Sequence, residues 1–522
     1  MRSIGRLHLA LSFAIAITAA CASPPTGPEA GRLLLDQTAA AMGGWSALGQ
    51  IKSQEIQTSG TDWEPLQAID PTAEPRQINS FDQTLLVDFD RKRIRLMFDA
   101  TRTYPTVAPV KFVEVIDGND GMLANDNERL HPSRLATRLR DYNRLPVRIL
   151  YTARDAGDLT RSEDQTVAGA TVEVLKYTDS GLPVELHIDA ETMLPVRVVY
   201  MEDDPIYGDT PNEVAFSNWK EHDGVRLPET QITRLNGKKI REEHVRSLVM
   251  NPPLEDASFA IPDAVTSQPE NGQRIVSQWV LRRVVMGVAY QDFGREQKVE
   301  VVPVAPGVYH IRGGSHHSMV VEMMDHLIVV EAPLFDERSV AVIRALEEKF
   351  PNKPIKHLVV THFHFDHSGG VRAYVAKGAT VVAHESILPF INEMIQRPHT
   401  IRPDSLSEAM KKSPVTPSVG RISPVQVLTD GERRVEVRDI PSDHATGMTI
   451  AYLPKEKIVF VSDLYSPPGP TPNPSVIFER GRSAAFYEAL KNTGLKVETI
   501  VGGHGTVGSL RDLEKALDAA KE

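Results

Sequence analysis

The chain has 522 residues, of which 41% are hydrophobic and 24% charged, with a formal net charge of -11. That length exceeds one ordinary core, so two domains of a few hundred residues are expected, and the composition excludes a disordered or membrane-spanning class. The charge supplies no basic surface to neutralise phosphates, which argues against nucleic acid as a partner. Residues 1–25, MRSIGRLHLALSFAIAITAACASPP, place Arg2 and Arg6 ahead of an apolar stretch from about Leu7 to Ala20 that ends in small residues. This is the layout of a bacterial export signal, and the stretch is too short to span a bilayer. Ala20, Cys21 and Ala22 form an A-x-A cleavage site. Cys21 after Ala19 and Ala20 equally offers a lipoprotein modification site, with Thr18 where a branched aliphatic residue is usual. The expected location is periplasmic or exported, with membrane attachment through a lipidated Cys21 as one outcome. Cys21 is the only cysteine, so the mature chain has no intramolecular disulfide and no thiolate ligand, and metal binding falls on His, Asp and Glu.

From about Glu29 the segment AGRLLLDQTAAAMGGWSALGQI spaces its apolar residues as a helix does and ends near Gly43 and Gly44. Short strand-like runs follow, among them FDQTLLVDFD, KRIRLMFD, VKFVEVIDG, ATVEVLKYT and PVRVVYME, separated by Gly, Pro, Asn and Asp turn signals. Strands that succeed one another without helices imply an antiparallel sheet over residues 29–262. Within it, GLPVELHIDAETMLPVRVVY, DGVRLPETQITRLNGKKI and NPPLEDASFAIP resemble the bent antiparallel sheet of bacterial lipoprotein-carrier domains. The resemblance implies a lipid or other apolar ligand; the alternative is a sheet that only packs. The Pro-, Ser-, Asn- and Gln-rich PDAVTSQPENGQ then reads as a linker, and RIVSQWVLRRVVMGVAYQDF is apolar enough to pack as a helix. Residues 263–295 are assigned to linker and helix, and residues 296–522 to a second domain.

In that domain the pattern alternates. GVYHIRGG, HHSMVVEMM and HLIVVEAP read as strands, and ERSVAVIRALEEKF sets Ile343, Leu346 and Phe350 on one helical face. The strand IKHLVV, a His-rich loop, a short helix, the strand ATVVAH and a helix around ILPFINEMI come next. The strands RRVEVRDI, GMTIAYLP and KIVFVSD, a helix AAFYEALKNTG, the strand VETIVGG and a terminal helix complete the chain. The mixture suggests an α/β architecture, two packed sheets with helices outside.

The His-rich loop, THFHFDHSGG, puts His362, His364, Asp366 and His367 within six residues at a strand end. His362 and His364 flank one residue in an extended segment, so both point the same way and can share a metal. Asp366 continues that alternation and His367 points elsewhere. Ligands in two directions suit two adjacent metals better than one. Three further candidates stand at predicted strand ends: His444 after RRVEVRDIPSD, Asp463 after KIVFVS and His504 after VETIVGG. Taken singly these are a loop histidine, a turn aspartate and a histidine in a Gly-rich turn.

In order and approximate spacing, the seven resemble the signature of the metallo-β-lactamase superfamily, over about residues 300–510. The resemblance implies a C-terminal αββα sandwich preceded by the mostly antiparallel β domain, with the metal site along one edge of the two sheets. It implies that His362, His364 and His444 hold one metal, Asp366, His367 and His504 a second, and that Asp463 bridges them. Two divalent ions are implied, zinc first, with iron and manganese open. Asp366, His444 and Asp463 become the catalytic candidates, in a hydrolase that attacks an ester, lactone, amide or β-lactam carbonyl of a small molecule with a metal-bound hydroxide. His316 and His317 lie on a hairpin that overhangs the metals in this fold, and Tyr465 opens the loop DLYSPPGPTPNPS; these three are candidate substrate contacts. The sequence departs from the pattern at SDHATGM, which lacks the usual Gly before and Pro-Gly after the His, and at Glu331, where Asp is more usual. His364 in place of Glu disfavours the di-iron redox branch. Two alternatives stand: a mononuclear iron dioxygenase of the same fold, and a lipid- or apolar-ligand-binding protein with an accessory metal domain.

Overall fold

The computed structural model describes residues 25–105, 107–269, 297–468 and 480–518. The export signal up to residue 24, the linker beyond residue 269 and the apolar helix expected at 274–293 lie outside these residues. No helix among the described residues is long and apolar enough to cross a membrane.

Two helices, Pro28–Ala41 and Gly44–Gln50, precede an antiparallel sheet of 14 strands. Alternation builds its strands: in Arg93–Arg102 the side chains of Ile94, Leu96, Phe98 and Ala100 are buried on one face. Across three neighbouring strands Phe81, Phe98 and Phe112 stack with ring centroids 5.3 and 4.8 Å apart. The first long strand, Ser53–Glu64, pairs with both Arg76–Asp88 and the last strand, Lys238–Met250. The two ends of the domain therefore meet in the middle of the sheet. Residues of Ala108–Asp117 and Pro195–Asp204, seven strand spacings apart in sheet order, line one cavity. A flat sheet would set those strands roughly 34 Å apart, so this one curls. The helix Pro132–Asn143, capped by the His131 side chain, lies against the curled face. Its Arg134 and Arg138 pair with Glu114. Burial alone would raise that carboxyl, and the two guanidinium groups outweigh burial and hold it at about 2.

The second domain begins at strand Glu300–Ala305 and contains two sheets, of seven and six strands. In the first, strands from Glu300–Ala305 to Leu327–Val330 are antiparallel, and Ile355–Val359, Thr380–His384 and Ser418–Ile422 continue it in parallel. In the second, Ile458–Val461 and Thr499–Gly502 are the parallel pair. Val330, Val359 and Val382 of one sheet and Val437, Ala451 and Phe460 of the other share the core between them. Helices Asp336–Lys349, Val371–Ala376 and Leu388–Gln396 bury their apolar faces on the outside of the first sheet, and Arg480–Thr493 and Leu510–Asp518 on the outside of the second. This is the expected αββα layering, preceded by the antiparallel domain.

The two domains share one apolar cluster, in which Leu66, Tyr104, Ile206 and Tyr207 join Phe335, Phe363 and Ile391. Beside it the Asp209 carboxylate accepts from Thr400 N, Thr400 Oγ1 and Ile401 N at 2.6 to 3.0 Å. Gly208, at φ +69, lets the two backbones touch there, since a Cβ at that position would run into the Pro398 carbonyl.

Candidate metal centre

The His-rich loop leaves the parallel strand Ile355–Val359. The alternation expected to run through Asp366 stops at His364. A helical turn, Phe365–Ser368, starts there, because the amides of His367 and Ser368 both bond the His364 carbonyl, each at 3.0 Å. The turn carries Asp366 and His367 into a second group, although the His362 and His367 rings stay 4.5 Å apart between centroids, so the division into two groups has a helical cause. Gly369 and Gly370 follow where an added Cβ would strike Leu334 O and Ser339 Oγ, which is why the turn closes on glycines.

Two four-residue groups of possible metal donors result, all buried: His362, His364, His444 and Asp463 in one, and His316, Asp366, His367 and His504 in the other, with Glu331, His362 and His367 forming a third, smaller group between them. His362 Nε2 lies 3.3 Å from His444 Nε2, and His367 Nε2 lies 3.3 Å from His504 Nε2. Two imidazoles on one tetrahedral zinc, at ordinary Zn–N lengths, put their nitrogens roughly 3.3–3.4 Å apart. Asp463 stands between the groups. Its Oδ1 is 2.8 Å from His367 and 3.0 Å from His504, and its Oδ2 is 3.1 Å from His444. His316 reaches the second group through Nε2, 3.2 Å from Asp366 Oδ2.

In His362, His364 and His367 one ring nitrogen is held by the fold, which fixes the donor atom. His364 Nε2 bonds the Ala68 carbonyl at 2.9 Å, which leaves Nδ1, buried and without a hydrogen-bond partner among the described residues, as its donor. His362 Nδ1 is 3.0 Å from Thr361 Oγ1, and His367 Nδ1 is 2.9 Å from both Glu331 Oε2 and Ser462 Oγ. Glu331 also accepts from the Thr361 hydroxyl at 2.5 Å, and it sits at φ +71. A non-glycine residue in the left-handed region is strained, and such strain gathers where a side chain must be aimed. Glu331, which the sequence marked only as a departure, is thus a positioning residue for His367.

The electrostatics suit cations. Burial, helped by neighbouring imidazoles, holds His362 and His364 well below their ordinary value, burial also lowers His444, and His316 falls to about 4 for the same reason. These rings are neutral, the state that binds metal. His367 is the exception. Burial would lower it, but Asp463, Glu331 and Asp366 hold it well above. Asp366 and Asp463 are in turn kept low against burial, chiefly by His367. Carboxylates facing buried imidazoles make a place for positive charge, which two divalent ions fill more completely than one protonated ring. The donor set fits the implied metals.

Not every candidate joins this site. His317 packs edge-on to His310, with Nε2 on the Gly314 carbonyl at 3.0 Å, and lies outside both groups. Tyr465 turns into the apolar cluster with Leu464, Phe486 and Leu490. Conversely, the N-terminal domain supplies contacts that have no local signal. Gln67 Nε2 donates to Asp366 Oδ1 at 2.7 Å across 299 residues of chain. The Tyr104 hydroxyl is 3.3 Å from His444 Nδ1, and Arg76 ties the Gln67 and His444 carbonyls together at 2.6 and 3.3 Å. Thr446 N bonds Ile69 O at 2.7 Å. The stretch from Glu64 to Asp70 is a strap across the cluster.

Residues 311–504 match the metallo-beta-lactamase superfamily. They form a metallo-β-lactamase superfamily domain. The domain has the architecture and donors of a metalloenzyme, and its two His/Asp groups are consistent with a binuclear metal hydrolase. Over 178 residues the chain is 27% identical to the 2,4-dinitroanisole O-demethylase subunit alpha of Nocardioides sp. (strain JS1661), a match to 34% of this chain and 49% of that protein. The chain thus spans about half the length of that relative. Over 207 residues it is 23% identical to the metallo-beta-lactamase type 2 of Bacillus cereus, a match to 39% of this chain and 73% of the other. Among solved structures it is similar to the metallo-beta-lactamase from Pontibacter korlensis, with 19% identity and a TM-score of 0.32, covering 43% of this chain and 100% of that one.

Proposed function

We propose that the protein is an exported binuclear metallohydrolase that cleaves an ester, lactone, amide or β-lactam of a small molecule. His362, His364 and His444 would hold one divalent ion, Asp366, His367 and His504 the other, and Asp463 would lie between them. Zinc suits imidazole and carboxylate donors best, with iron and manganese as alternatives. Ions held there supply a water of lowered pKa and a polarised carbonyl. The protein's own part is to keep water out and aim the groups. The strap covers the first group, while Asp366 and His504, at 10% and 8% side-chain exposure, are the openest members of the second. Substrate would therefore approach on the Asp366 side. The Asp366 carboxylate, steadied by Gln67 and His316, is the group placed to take up or pass on a proton there.

The observation that carries this reading is the pairing of two nitrogen–nitrogen distances of 3.3 Å with one carboxylate facing both groups. A mononuclear iron dioxygenase would leave one of these groups without work. Metal content by mass spectrometry, with a panel of β-lactams, lactones, thioesters and phosphodiesters, tests it. Two metals per chain and hydrolysis that is lost on chelation and restored by metal are expected. One iron per chain with oxygen consumption would overturn it. The export signal is tested separately by the mass of the mature N-terminus, which also separates simple cleavage from lipidation at Cys21.

A further inference from the structure

The curled sheet of the N-terminal domain encloses a cavity of about 250 Å³, larger than the roughly 150 Å³ that accommodates benzene in an engineered core. Leu96, Phe98 and Phe112 give it apolar lining, and charged residues from helix Pro132–Asn143 and from the strand Lys238–Met250 line it as well. Most of that charge is satisfied locally: Arg138 donates to Glu114 and Arg241 to Asp62, each at 2.6 Å.

Arg144 also lines the cavity, and it is different. It is 6% exposed, its guanidinium lies 3.5 Å from the Tyr200 ring centroid, and none of its three nitrogens makes a hydrogen bond with a described residue. The nearest carboxylates, of Glu202 and Asp141, stand 3.7 and 3.9 Å away, beyond hydrogen-bond reach. Stacking occupies the face of the guanidinium and leaves its edge, a planar fork of donors that matches a carboxylate in two parallel bonds. Burial raises the carboxyls of Asp141 and Glu243 in the lining against the pull of Arg138 and Arg241. Glu202 and Asp141 offset the Arg144 charge at ion-pair distance, but buried N–H donors without acceptors beside an apolar hollow are costly unless something fills both.

We propose that this cavity binds an apolar monocarboxylate, with its hydrocarbon body against Leu96, Phe98 and Phe112 and its carboxylate on the edge of Arg144. The site is separate from the metal centre and stands whether or not the hydrolase reading does. Isothermal titration of the full chain with octanoate, octan-1-ol and octylammonium tests it. Octanoate should bind to one saturable site, the alcohol at least about tenfold more weakly, and the amine not measurably. In Arg144→Met the preference for octanoate over the alcohol should vanish while the thermal melt stays cooperative. Arg144→Lys, which keeps the charge and loses the fork, should recover part of it. The wild-type comparison needs no variant. No octanoate binding, or equal binding of octanoate and octan-1-ol, would overturn the proposal, as would a folded Arg144→Met chain that still prefers octanoate.

Discussion

The Gln67→Ala substitution removes one hydrogen bond, the 2.7 Å contact from Nε2 to Asp366 Oδ1, and both residues are buried where it forms. A hydrogen bond to a charged group contributes roughly 1.5–3 kcal/mol. Loss of an outer partner of a metal ligand typically costs ten- to a hundredfold in affinity, about 1.4–2.7 kcal/mol, so two independent scales agree. Because Gln67 touches Asp366 and none of the first histidine group, the loss should fall on one metal. Competitive titration against a chromophoric chelator should show one metal step weakened about ten- to a hundredfold and the other nearly unchanged. Gln67→Glu sharpens the test through its sign. A second carboxylate beside Asp366 should lower the melting temperature of metal-free protein yet cost little metal affinity, since the cation relieves the repulsion. If both metal steps of Gln67→Ala lie within about twofold of wild type, the contact does not position Asp366 and the reasoning fails.

Asp463→Asn removes the carboxylate charge that faces both groups, and metal content by mass spectrometry should drop to one ion per chain or fewer, with hydrolysis lost. Asp404, paired with Arg372 and capping the helix Ser405–Lys412, is held at about 2 because Arg372 outweighs burial. A carboxyl lowered on folding adds stability that is complete above its unfolded value, near pH 4, and is lost as pH falls through about 2. Asp404→Asn should therefore cost on the order of 2 kcal/mol in denaturant unfolding at neutral pH, with the gap closing towards pH 2. Asp209→Ala deletes the acceptor for Thr400 and Ile401. It should cost about 1–3 kcal/mol and expose the interdomain seam, read as faster limited proteolysis near residue 400.

The metal-binding half was legible because its chemistry is local. His362 through His367 sit in one loop, and His444, Asp463 and His504 each follow a short strand that the sequence announces. Even there the path was misread after His364, since a helical turn of four residues has too short a period to show. His316 and His317 are adjacent in sequence, yet only His316 enters the cluster, because the chain bends at residues 313–316 before the strand resumes at Ser318. The antiparallel character of the first domain was equally readable. That Ser53–Glu64 pairs with Lys238–Met250 was not, since long-range pairing leaves no mark on either strand. Gln67 lies in an unremarkable WEPLQAI, and Arg144 lies in a stretch that carries no motif; what makes each important is a neighbour contributed by a distant part of the chain.

The strap from Glu64 to Asp70 changes where the enzyme's border is drawn. By sequence the catalytic unit begins near residue 300; by contact it includes residues that precede that point by more than two hundred positions. A truncation at the linker would strip the lining from Asp366, His364 and His444 together and would not yield a minimal catalyst. A chimera that exchanged the curled sheet for that of a relative would exchange one wall of the reaction chamber, so selectivity could be altered without touching a single metal ligand.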